Sequence, residues 1–136
     1  MKLPVSTLIA LGGAVTLASC VAAPVQESRS PKAAEELARA LAGKAAGQAT
    51  NCISNYRSTQ MQVIDDWTIL YRDGRTVYVQ NPRGGCRGLN SGMTLVTRQH
   101  GNQLCSGDIH QLVDLRSGHG AGACVFSQFV PYRRAS

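Results

Sequence analysis

Apolar and polar positions change their spacing twice along this chain. Leu3 to Leu17 is apolar apart from Pro4 and the small hydroxyls Ser6, Thr7 and Thr16. Between Pro31 and Ala46 the apolar residues Ala34, Leu37, Ala38, Leu41 and Ala45 recur at helical spacing. Ser30 offers an N-cap, Pro31 suits the first helical position, Glu35 pairs with Arg39 one turn on, and Gly47 supplies a stop. The spacing therefore predicts one helix, placed within residues 31–47. Only Leu37 and Leu41 in its stripe are larger than alanine, so the helix reads as a spacer or a lightly packed cover for a sheet.

Beyond Asn51 the pattern becomes that of strands. These are expected at Thr59–Ile64, Trp67–Arg72, Arg75–Gln80, Met93–Arg98, Gln103–Cys105, Ile109–Leu115 and Ala123–Val130, with a basic tail from Pro131. Gln103–Cys105 reads as the return strand after a turn at His100-Gly101-Asn102. Asp73-Gly74 between two β-branched and aromatic runs predicts a hairpin with a type I′ turn. In that register Leu70 faces Val77, Thr68 faces Val79 and Arg72 faces Arg75; Trp67, Ile69, Tyr71 and Tyr78 share the opposite side. Both sides are partly apolar, so the hairpin should be covered on both. The fold expected is mainly β, a small antiparallel barrel or sandwich of five to seven strands with one N-terminal helix and two disulfides, the β domain spanning residues 51–136.

The N-terminal apolar run follows Lys2 and is shorter than the roughly 20 residues needed to span a bilayer, which is the layout of a signal peptide. Leu17-Ala18-Ser19-Cys20 resembles the lipobox of bacterial lipoproteins. That resemblance implies a signal peptide at residues 1–19, removal just before Cys20, and a membrane anchor through lipid on the Cys20 thiol, stable when two or three acyl chains are attached. The alternative is ordinary secretory cleavage after Val21-Ala22-Ala23, which would discard Cys20. Val21 stands where an aspartate would favour the inner membrane, so the lipobox resemblance implies the outer membrane, periplasmic side. Residues 20–30 read as a flexible tether.

With Cys20 lipidated, Cys52, Cys86, Cys105 and Cys124 remain, an even set that reads as a disulfide framework in an exported chain. The pairing expected is Cys86–Cys105, joining two loop ends, with Cys52–Cys124 tying the first strand to the last. The alternatives are Cys52–Cys86 with Cys105–Cys124, and Cys52–Cys105 with Cys86–Cys124. A zinc site using His100, His110 or His119, and a thioredoxin-like role, are both disfavoured because no C-x-x-C pair exists.

Charge adds a candidate partner class. Residues 51–136 hold nine Arg against five Asp, with no Lys and no Glu, within a chain of net charge +6. Such a surface favours anionic envelope polymer, phosphorylated headgroups or an acidic protein, and Arg72 with Arg75 is the candidate anion-binding pair; the simpler alternative is that both splay into water. Nucleic acid is not an expected partner of an exported chain. Gly84-Gly85 and Gly88 form no dinucleotide fingerprint, and no cofactor is expected.

Asn51-Cys52-Ile53, Asp65-Asp66 with Trp67–Tyr71, Cys86-Arg87-Gly88-Leu89, Leu104-Cys105-Ser106-Gly107-Asp108-Ile109 and Cys124-Val125-Phe126 with Phe129 together resemble a proteobacterial lipoprotein family catalogued as a domain of unknown function. The resemblance covers about residues 51–131; Val125 and Phe126 stand where that family usually has a glycine. It implies a secreted, disulfide-bonded single domain and transfers no catalytic residue. Asp108 with His110, and His119 in its glycine-rich loop, are the titratable candidates; no G-x-S-x-G motif supports a nucleophile. The function expected is a binding or envelope-structural module. A periplasmic inhibitor of a secreted hydrolase is the alternative, and an enzyme the second alternative.

Overall fold

The computed structural model describes residues 29–55, 59–98 and 101–135. Cys20, the signal segment and His100 lie outside the described residues.

The helix α1 runs Pro31–Leu41 and starts as expected, with the Ser30 hydroxyl accepting from the Ala33 N–H. It ends earlier than expected: Gly43, at φ +68°, takes the left-handed position assigned above to Gly47. Ten short strands follow, β1 Ala45–Ala46, β2 Cys52–Ser54, β3 Gln60–Asp65, β4 Thr68–Asp73, β5 Thr76–Gln80, β6 Thr94–Thr97, β7 Gln103–Cys105, β8 Ile109–Val113, β9 Gly120–Val125 and β10 Phe129–Arg133. They form three antiparallel sheets, ordered β1-β10-β5-β4-β3, β2-β7 and β6-β8-β9, that do not close into a barrel.

Odd and even residues of β4 point to opposite faces of the five-stranded sheet. Ile69 and Tyr71 enter a core with Ile53, Leu104, Leu112, Phe126 and Phe129, beneath the two smaller sheets. Leu70 enters a second core with Val77, Val79 and the helix residues Ala33 and Ala40. The hairpin is thus covered on both sides, and the thin alanine-rich stripe of α1 suffices because alanines let the helix approach the sheet closely.

The hairpin register differs from the expectation by two residues. Leu70 faces Val79 and Arg72 faces Val77, so Gly74-Arg75 forms the loop and Arg72 does not face Arg75. Gly74, at φ +55°, sits first in the loop, where a II′ turn requires glycine. A shift of two keeps every side chain on its own face, so the division into faces survives. Trp67 precedes β4, in the turn after β3.

The last expected strand is two strands. Phe126 and Phe129 are both fully buried in one core although three residues apart, which a single straight strand cannot achieve. The chain breaks at Ser127, where the buried Gln80 amide accepts from the Ser127 N–H at 2.8 Å and donates to its carbonyl at 2.9 Å. β9 ends one sheet there and β10 enters another, so residues 131–133, expected as the start of a tail, are strand. Pro131 is tolerated because its missing N–H faces the side of β1, which is only two residues long; its carbonyl still accepts from Gly47 at 2.7 Å. β7 pairs with β2 and β6 with β8, in place of the expected β6–β7 hairpin.

The disulfides are Cys52–Cys105 and Cys86–Cys124, not the Cys86–Cys105 and Cys52–Cys124 pairing expected. Cys52 and Cys105 are register partners in β2–β7, with Cα atoms 4.1 Å apart. Cys86, in the loop after β5, reaches Cys124 on β9 at 5.2 Å. Arg29, placed above in a flexible tether, pairs with Asp65 at 2.6 Å and donates to the Thr68 hydroxyl.

Candidate anion-binding groove

The turn end of the five-stranded sheet gathers cations from three separate parts of the chain. Arg72 lies one residue before the end of β4, Arg75 lies in the II′ loop, Arg133 ends β10 and Arg134 follows it, while Lys44 comes from the exit of α1. Together with Thr76 these five line a single open groove of about 700 Å³, and among the described residues no acidic side chain lines it.

Hydrogen bonds orient three of the five. Arg72 Nη2 donates to Gln62 Oε1 at 3.0 Å, and the Gln62 amide donates to Glu36 Oε1 at 2.6 Å. Glu35 and Glu36 line an adjoining cleft that shares Arg72 and Lys44 with the groove, without an ion pair to either cation among the described residues. Arg133 Nε donates to the Thr76 hydroxyl at 3.0 Å, and Lys44 Nζ to the Ala40 carbonyl near the helix C-terminus at 3.0 Å. Among the described residues the ion pairs are Arg29–Asp65 and Arg39–Glu35, so none of the five groove cations is neutralised by a carboxylate. Each guanidinium has five N–H donors in a fixed fork, and the neutral partners leave most of them for a ligand.

The chain matches no protein-family model, no curated protein and no solved structure.

Arg72 and Arg75 are therefore brought together, by the groove and not by strand register. Lys44, Arg133 and Arg134 were missed by sequence reasoning, because the first was assigned to a helix and the others to a tail. Phe129, Pro131 and the alternating Val130 and Tyr132 carried the strand signal that would have placed them.

The titratable candidates are dispersed. Asp108 accepts from the Cys105 N–H at 2.7 Å, the role of a turn-capping carboxylate. His119 is exposed in the turn between β8 and β9. His110 is fully buried, stacked on Phe126 at 3.7 Å, with Nδ1 2.9 Å from the Thr97 hydroxyl and no partner for Nε2. Burial holds its pKa below the ordinary histidine value, and the nearby Asp108 charge only partly offsets this.

That depression fixes the sign of a pH effect. Below about pH 6.5 the unfolded histidine takes up a proton that the folded one resists, so this contribution is present above that pH and is lost as pH falls toward the folded pKa. Urea titrations across this window should show stability declining by at most about 1.4 kcal/mol per pH unit from this group. In His110→Gln the decline should flatten; an unchanged slope would assign it to other groups.

Proposed function

We propose that this protein is a periplasmic binding module, held to the outer membrane by lipid on Cys20, whose basic groove takes an anionic envelope component. The observation that carries the binding part is five cations around one groove, with no acidic side chain among the described residues that line it. A cleft lined by one sign of charge focuses the field and concentrates ligands of the other sign. The anchor rests on Leu17-Ala18-Ser19-Cys20. Among the described residues no helix is long and apolar enough to cross a membrane.

The reading is tested by binding to vesicles containing phosphatidylglycerol, at ionic strengths where the Debye length falls from about 30 Å to about 8 Å. Binding should weaken as salt rises. Arg72→Ser with Arg75→Ser should weaken it about tenfold, a loss of roughly 1.4 kcal/mol. Neither side chain belongs to a core cluster, so thermal unfolding should change little. Salt-independent binding, or binding unaltered in the double variant, would remove the groove from the proposal. Intact mass of protein extracted from membranes tests the anchor separately, the expected chain beginning at acylated Cys20; an unlipidated chain beginning at Pro24 would refute it.

A further inference from the structure

Trp67 is the single tryptophan of the chain, and it enters neither core cluster. Its indole is only partly buried, and it is held in place. A Cβ added to Gly85 would lie 3.0 Å from Trp67 Cε3 and 3.2 Å from Cδ2, so part of the ring is bedded on glycine backbone. Gly85 is at φ +76°, a conformation disfavoured for any residue with a side chain. Backbone geometry and ring position thus depend on each other.

The indole borders a second groove, of about 660 Å³, on the helix side of the five-stranded sheet. The groove lies beside α1, which covers the hairpin but not the full width of the sheet. A helix of eleven residues is about 16 Å long and ~10 Å across, against a five-stranded sheet about 19 Å wide. The helix residues Leu37 and Leu41, the strand residues Val79 and Tyr132, and Trp67 with Asn81 line it, as does Arg29, whose guanidinium is paired with Asp65. Among the described residues Trp67 Nε1, Asn81 Nδ2 and the Tyr132 hydroxyl make no hydrogen bond, which leaves three open donors on residues that line the groove.

We infer that this groove is a saccharide-binding site for a neutral N-acetylated amino sugar. An aromatic platform accepts the C–H face of a pyranose ring. The three open groups all donate, which suits the ring hydroxyls and above all the acetamido carbonyl. The acetamido methyl suits the leucine side chains. A polyproline strand would need neighbouring aromatic rings to grip it, and Trp67 and Tyr132 make no ring contact; the aromatic contacts among the described residues are those of Tyr71, His110, Phe126 and Phe129.

A single tryptophan makes the test direct. The full chain is titrated with the N-acetylglucosamine tetramer while Trp67 emission is recorded. The expected result is a saturable change, indifferent to salt and preserved in Arg72→Ser with Arg75→Ser, which separates this site from the basic groove. Asn81→Asp keeps an oxygen for the Thr68 hydroxyl, now 3.1 Å from Asn81 Oδ1, and removes the N–H donors. Tyr132→Phe removes only the hydroxyl. Each should weaken binding about tenfold with unfolding midpoints unchanged. Calorimetry of Trp67→Phe provides a reading without the fluorophore, with a similar loss expected. The inference is overturned by the absence of a saturable change up to about 10 mM sugar, by binding that all three variants retain, or by saturation with a proline-rich peptide in place of the sugar.

Discussion

Phe126→Ala is expected to lower the unfolding free energy by about 3–5 kcal/mol, the range for removing a buried aromatic side chain. Phe126 is fully buried and sits where three structural commitments meet. Its ring contacts Tyr71 edge-on at 6.1 Å and Phe129 at 5.9 Å, and lies under the His110 ring at 3.7 Å. Tyr71 belongs to the five-stranded sheet and His110 to the three-stranded one, so the lost ring is the packing between sheets. Truncation would also take the stacking surface from a histidine that already has one unpartnered nitrogen. Against a typical total of about 5–15 kcal/mol for a domain, such a loss brings the molecule near unfolding at room temperature. Urea denaturation should show a large fall in midpoint with an unchanged slope. Phe126→Leu, which keeps most of the volume, should cost clearly less. A loss below about 1 kcal/mol for alanine would mean the sheets do not pack through this ring.

The Cys86→Ala, Cys124→Ala double replacement should cost about 2–5 kcal/mol. The corresponding replacement of Cys52 and Cys105 should cost less. Chain entropy does not separate the two: sequence separations of 38 and 53 residues differ by only about 0.3 kcal/mol in loop-closure cost. Burial does. Cys86 and Cys124 are 1% and 2% exposed and belong to the main core, so alanine there also leaves a gap; Cys52 and Cys105 are half-buried, outside that cluster. The same difference predicts the order of reduction. Under mild reductant, alkylation followed by peptide mapping should find Cys52 and Cys105 labelled first, and the reverse order would contradict the burial argument.

How much was legible in the sequence follows from the range of the interactions concerned. The helix start, the β class and the Asp73-Gly74 region depend on residues a few positions apart, and their signals are local. The exact turn did not follow, because Gly74 serves the first position of a II′ loop as readily as the second of a I′ loop. The Cys52–Cys105 bridge depends on β2 meeting β7 across more than forty residues, and Cys86–Cys124 on a loop meeting β9 across 38; no local pattern encodes either meeting. The groove divides in the same way. Arg72 and Arg75 stood out because they flank one local hairpin turn, whereas Arg133 and Arg134 reach them through the pairing of β10 with β5, and Lys44 through the chain just before β1, which pairs with β10. Phe126 and Phe129 were the missed clue: two large apolar residues three apart cannot share one face of a strand, so the spacing itself demanded the bend at Ser127.

The position of β10 has a consequence for the history of the molecule. β10 lies between β1 and β5, so the first and last of the described strands become neighbours. The sheet cannot be completed before residues 129–133 are available to pair, and its contacts demand closure of long loops before they stabilise anything, a topology that folds slowly. Until β10 arrives, β5 presents an open row of backbone donors and acceptors, so a growing chain carries an unprotected sheet edge that its own later residues must cover.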